Sequence, residues 1–137
     1  MRLNLLTPLP AVQMVFFQIR AGHAPAVDWL KELRRTNAKA FIKCRVALTR
    51  LALLGHELRR PEADYLRDGI HELRWRLGSV NYRLLYFFHG RTVAVVAHGL
   101  TKEDTVLATD INRAIACKAA FAANPILHTF IGEIDDA

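Results

Sequence analysis

The chain has 137 residues, the size of one ordinary domain, and 52% of them are apolar, too many for a disordered chain. Its formal net charge is +6 with a pI of about 9.8, which favours an anionic partner such as nucleic acid, an acidic protein or a membrane surface. Two cysteines, Cys44 and Cys117, form no CxxC pair, which argues against a zinc ribbon or a thioredoxin-type site. Both fall in stretches that read as helix, so two buried free thiols are expected, with a single disulfide as the alternative.

Residues 1–11 read as a loose leader, because Pro8 and Pro10 oppose both a helix and a central strand. Arg2 followed by apolar residues resembles a signal sequence, but Asn4, Thr7, Pro8, Pro10 and Gln13 interrupt the run. No stretch is apolar for long enough to span a bilayer. Met14 offers an alternative start to Met1, within a strand expected over 12–19.

Pro25 suits the first turn of a helix, with Val27, Leu30 and Leu33 on its apolar side. Asn37 is the expected N-cap of a second helix, in which Phe41, Cys44, Leu48 and Leu51 recur at helical spacing. Gly55 is its stop. Residues 55–69 are polar and contain Pro61, so they read as a connector, with Glu62, Asp64 and Asp68 as solvated loop carboxylates.

Three strands follow, at 70–77, 80–89 and 92–98, joined by turns short enough for antiparallel hairpins. The last of them is nearly all apolar and should be central and covered on both faces. A final helix begins near Asp110 with Thr109 as its expected cap, and 124–137 reads as a tail. The order β-α-α-β-β-β-α describes an α+β domain over 12–123, a twisted, mainly antiparallel sheet with helices against it.

In the strand Gly69-Ile70-His71-Glu72-Leu73-Arg74-Trp75-Arg76-Leu77-Gly78, odd positions from Leu73 are apolar and even positions from Glu72 are charged. Alternation puts Arg74 and Arg76 on one face, and Arg83 in the next strand can join them. Such a face is either solvated, with Glu72 as a partner, or built for phosphate. Guanidinium forks bind phosphate oxygens in pairs and keep their charge near neutral pH. His98 is the best proton-transfer candidate by residue type, since histidine titrates near neutrality. Tyr82 and Tyr86 share the side of Leu84 and Phe88 and are assigned to the core. Lys39, Lys43 and Arg50 make one side of the second helix basic, suited to docking RNA or an acidic protein. No glycine-rich phosphate loop, GxSxG, HExxH or two-metal carboxylate cluster is present.

Asp68-Gly69-Ile70-His71-Glu72-Leu73-Arg74, Asn81-Tyr82-Arg83-Leu84-Leu85-Tyr86-Phe87-Phe88 and His98-Gly99-Leu100-Thr101-Lys102 resemble successive strands of the RelE/HigB toxin superfamily, in its phage-derived Gp49-like (HigB-like) branch. Met14-Val15-Phe16-Phe17 and Pro25-Ala26-Val27-Asp28-Trp29-Leu30 resemble the first strand and helix of that family, so the resemblance covers about 14–122. It implies a RelE-like fold and a cytoplasmic toxin of a type II toxin–antitoxin pair that cuts mRNA at the ribosome, without metal or other cofactor. It also implies a cognate antitoxin with a helix-turn-helix domain. On this resemblance Arg74, Arg83 and Lys102 are the expected catalytic cations; by residue type and position His98 is the expected acid or base, and by charge Arg76, Lys39, Lys43 and Arg50 are expected to contact RNA. Glu103-Asp104 stands where the family often carries a further basic residue. That departure supports the alternative of a weak or inactive RelE-like module that binds an antitoxin or acts in a repressor complex. A basic phage protein that only packs or binds DNA would explain the charge but not the strand motifs.

Overall fold

A computed structural model describes residues 9–101 and 105–133. Its centre is a five-stranded sheet in the order β1-β5-β4-β3-β2. The strands are β1 (Gln13–Phe16), β2 (Ala63–Arg67), β3 (Ile70–Leu77), β4 (Val80–His89) and β5 (Val93–Thr101). The helices are α1 (Pro25–Thr36) and α2 (Ala38–Leu54) before the main strands, then α3 (Ala108–Ala123) and the short α4 (Pro125–His128). Every neighbouring pair is antiparallel except β1, which runs parallel to β5. The α+β class and the mainly antiparallel sheet agree with the sequence reading.

Two apolar layers flank the sheet. Alternation sends Leu73, Trp75, Tyr82, Leu84, Tyr86, Ala94 and Val96 toward α1 and α2, where they meet Leu30, Phe41, Cys44 and Leu51. Ile70, Leu85, Phe87, Val95 and Ala97 face α3 and pack on Ile111, Ala114 and Phe121. Ala94 through Ala97 are fully buried, as expected of a strand covered on both faces. Tyr82 and Tyr86 are core residues, as their spacing indicates. Cys44 and Cys117 are free thiols.

Pro25 opens α1 at its first turn. Asn37 caps α2, its side-chain oxygen accepting from the Ala40 N–H at 3.1 Å. Gly55 ends α2 with a φ of 55°, a conformation that side chains disfavour. Asn37→Ala should lower stability by about 1 kcal/mol, read as a shift in the denaturant midpoint.

Four expectations need correction. Residues 63–67, read as part of a connector, form the edge strand β2, paired to β3 from Ala63↔Leu73 to Arg67↔Ile70. An edge strand has one neighbour and an exposed side, so it tolerates the Asp and Arg that disguise it. The strand expected over 92–98 continues to Thr101, past a bulge between the Tyr86↔Val96 and Leu85↔His98 pairs. The last helix begins at Ala108, with the Asp110 carboxylate accepting from the Leu107 N–H at 3.1 Å, so Thr109 is not the cap. Residues 125–128, read as tail, form α4, after which Thr129 bridges Phe17 and the Phe130 N–H donates to the Phe16 carbonyl at 2.9 Å.

Candidate functional site

The β3–β4 hairpin brings the predicted arginines together. Its register sets Arg74 opposite Arg83 and Arg76 opposite Asn81. These residues lie on the side of the sheet that α3 covers only from Ile70, Leu85 and Phe87 onward. Arg74, Arg76, Asn81 and Arg83 line a groove of about 460 Å³ together with Pro61, Glu62, Trp75 and Tyr82.

Like charges directly across a strand pair repel. Glu72 answers that repulsion. Its Oε1 lies 3.4 Å from Arg74 Nη1, and its Oε2 lies 3.4 Å from Arg83 Nε. Glu72 and Arg83 are both buried, while Arg74 is half-buried. Burial pushes the Glu72 carboxyl above the ordinary carboxylate range, against the pull of Arg83 and Arg74. Arg74 is held further by its backbone N–H, which donates to the Glu62 carbonyl at 2.8 Å. Arg76 is exposed, and its Nε donates to the Gly78 carbonyl at 2.8 Å across the turn.

None of the α2 residues expected to contact RNA lines the groove; α2 packs on the other face of the sheet and touches the groove's neighbours from there. Lys43 Nζ donates to the Arg76 carbonyl at 2.9 Å, and Arg50 Nη2 donates to Glu62 Oε1 at 2.9 Å. Lys39 is exposed one turn before Lys43. Lys102, with Glu103 and Asp104, lies outside the described residues.

His98 is not at a strand end or on a rim. The longer β5 and its bulge bury it under the first turn of α3, at 1% exposure, with Nε2 3.1 Å from the Asp110 carbonyl. Burial pulls its pKa below the ordinary histidine value, outweighing the Asp110 hydrogen bond that opposes the shift. The unfolded ring therefore binds a proton at a higher pH than the folded one. Stability from this site is complete above the ordinary histidine value and is lost as pH falls through the lower folded value. Burial and the nearby His56 lower His71 as well, adding to the same trend. The denaturant midpoint should fall as pH drops below the ordinary histidine value, and an NMR titration should place His98 below free histidine.

Three acidic residues matter more than the sequence reading allowed. Glu62 lines the groove instead of lying free in a loop. Asp64 sits in β2 opposite Glu72 and pairs with Arg60 at 2.6 Å, which holds its carboxyl below the usual range. Glu72 was legible as a charged partner on the arginine face, but not as buried between two guanidinium groups. The i,i+4 spacing of Arg60 and Asp64 was the one available sign of order before β3. Among the described residues, no group of three or more His, Cys, Asp or Glu side chains is placed to hold a metal ion.

The model of the phage-derived Gp49-like protein family matches residues 28–117, which run from α1 into α3 and include both site strands. The chain belongs to the Gp49-like family. This is a family of RelE/HigB-like toxins, and the five-stranded sheet is consistent with a RelE-like fold. Gp49-like membership points to the toxin module of a toxin–antitoxin pair and implies an antitoxin partner. A search of curated proteins finds no match. Among the described residues, no helix is long and apolar enough to cross a membrane.

Proposed function

We propose that this Gp49-like protein is a HigB-like toxin that cuts mRNA on the ribosome in the cytoplasm, without a metal ion, through a domain spanning 12–123. The observation that carries the reading is the cross-strand pair of Arg74 and Arg83 in an open groove. RNA can be cut by its own 2′-hydroxyl. The oxygen loses a proton and attacks phosphorus, negative charge builds on the phosphate, and the 5′-oxygen leaves with a proton. Arg74 and Arg83 stabilise the charge that develops on the phosphate oxygens. Arg76 and the Lys39, Lys43 and Arg50 side of α2 hold the flanking backbone, and Lys102 adds a further cation. His98, with Nε2 on the Asp110 carbonyl, orders the start of α3. In this reading it does not touch the reacting phosphate. The cognate antitoxin, with a helix-turn-helix domain, silences the toxin.

A second reading is favoured by Glu72, which already engages both arginines. It is a weak or inactive toxin-like module that binds its antitoxin or serves in a repressor complex.

Binding of labelled single-stranded RNA against salt tests the groove. Arg74→Ala should weaken binding and reduce the slope of log affinity against log salt by about one phosphate contact. An unchanged slope and affinity would remove the groove from RNA binding.

A further inference from the structure

We propose that Glu72 is the positioning residue of the groove, its two carboxylate oxygens holding Arg74 and Arg83 at a fixed spacing so that both forks meet one phosphate. The inference rests on the RNA reading above and names what makes that site rigid.

Arg74 and Arg83 stand directly opposite each other, and their like charges repel. The Glu72 oxygens are divided between them at 3.4 Å each. Glu72 is 5% exposed and is not among the groove's lining residues, so it acts from beneath the floor. A bound phosphate meets the outward sides of the guanidinium groups. A planar fork has donors enough to engage a carboxylate and a phosphate at once. The groups facing Glu72 are Arg74 on its own strand, Arg83 on β4, Asp64 on β2 and Arg60 ahead of β2. Asp64 pairs with Arg60, and Arg74 Nε also donates to the Pro61 carbonyl at 3.3 Å, so Glu72 is the group that touches both guanidinium groups at once.

The clamp exists when Glu72 is ionised. Burial raises its pKa, so cleavage should fall as pH drops into a range above that of an ordinary carboxylate. A Glu72→Gln variant should lack that acid limb, because its side chain does not titrate.

The test uses the full chain, wild type against Glu72→Gln and Glu72→Asp. Arginine Nε–H NMR reads the clamp itself, and a non-cleavable 2′-O-methyl RNA reads binding. Cutting of mRNA in a translating extract reads the reaction across pH. Wild type should show a single ordered Arg83 Nε–H resonance, displaced in Glu72→Gln. That variant should bind the RNA as well as wild type or better, since an anion near the phosphate is gone. Its cutting should drop by about 100-fold, as misplaced reacting groups do. Glu72→Asp keeps the charge but is one carbon too short, and it should cut poorly too. If Glu72→Gln does not fold, Glu72→Asp carries the NMR and cutting comparisons. An Arg83 Nε–H signal unchanged by either substitution overturns the inference, as does cutting within a few-fold of wild type. An ordered Arg83 signal in a protein that neither binds nor cuts RNA leaves the clamp standing and overturns the RNA reading instead.

Discussion

Gly99→Ala should destabilise the protein by about 3 kcal/mol, the upper range for forcing atoms into a packed core. Gly99 sits in β5 opposite Leu84. The constraint is space: a Cβ there would lie 2.3 Å from Trp29 Cδ2 and 2.6 Å from Cε2 and Cε3 of the same ring. The ring cannot easily retreat. Trp29 meets Trp75 edge-on at 5.9 Å, and Trp75 stacks on Tyr82 at 5.8 Å. Trp75 is fixed in turn by its Nε1–H, which donates to the Ala40 carbonyl at 3.2 Å. The added methyl must push α1 away from β5, beside the hairpin that carries the arginines. Urea unfolding followed by tryptophan fluorescence reads the loss. Adding Trp29→Leu to Gly99→Ala should restore part of it. An unchanged midpoint in the single variant would refute the packing argument.

Arg83→Ala should abolish growth arrest on induction in bacteria and slow mRNA cutting by about 100-fold or more, the usual loss when one donor to a developing anion is removed. It should also cost about 3 kcal/mol of stability, because Glu72 is left buried with one partner gone. The two effects can be separated. Arg83→Ala combined with Glu72→Gln removes the uncompensated charge, so stability should recover while cutting does not. Arg83→Lys keeps the charge without the fork and should restore only part of the activity. Arrest by Arg83→Ala at wild-type strength would exclude Arg83 from the chemistry.

The parts of the fold legible in the sequence are those that repeat a local rule. The alternation of Leu73, Trp75 and Leu77 with Glu72, Arg74 and Arg76 gave β3 and the side its arginines occupy. The turn at Gly78-Ser79 led directly to the hairpin that sets Arg74 against Arg83. Asn37 and Gly55 marked both ends of α2. What escaped depends on partners distant in the chain. β2 is only five residues long and breaks its apolar residues with Asp64 and Arg67, so it shows as a strand only once β3 offers it hydrogen bonds. The parallel pairing of β1 with β5 joins segments about 80 residues apart, from Gln13↔Val93 onward, and no local pattern encodes it. His98 looked accessible because an apolar strand appeared to stop at it. In the folded protein the strand runs on to Thr101, and α3 closes over the ring. Glu72 was visible as a charge, but its burial between two arginines appears only once three strands are side by side.

In the function proposed above, the arginine groove cuts mRNA. The most direct measurement of this is transcriptome-wide mapping of mRNA 5′ ends shortly after inducing the wild-type chain, compared with Arg83→Ala at equal soluble level. New ends inside coding regions, in phase with codons, should appear with wild type and vanish in the variant. Intact mRNA and normal growth with soluble, folded wild-type protein would contradict it.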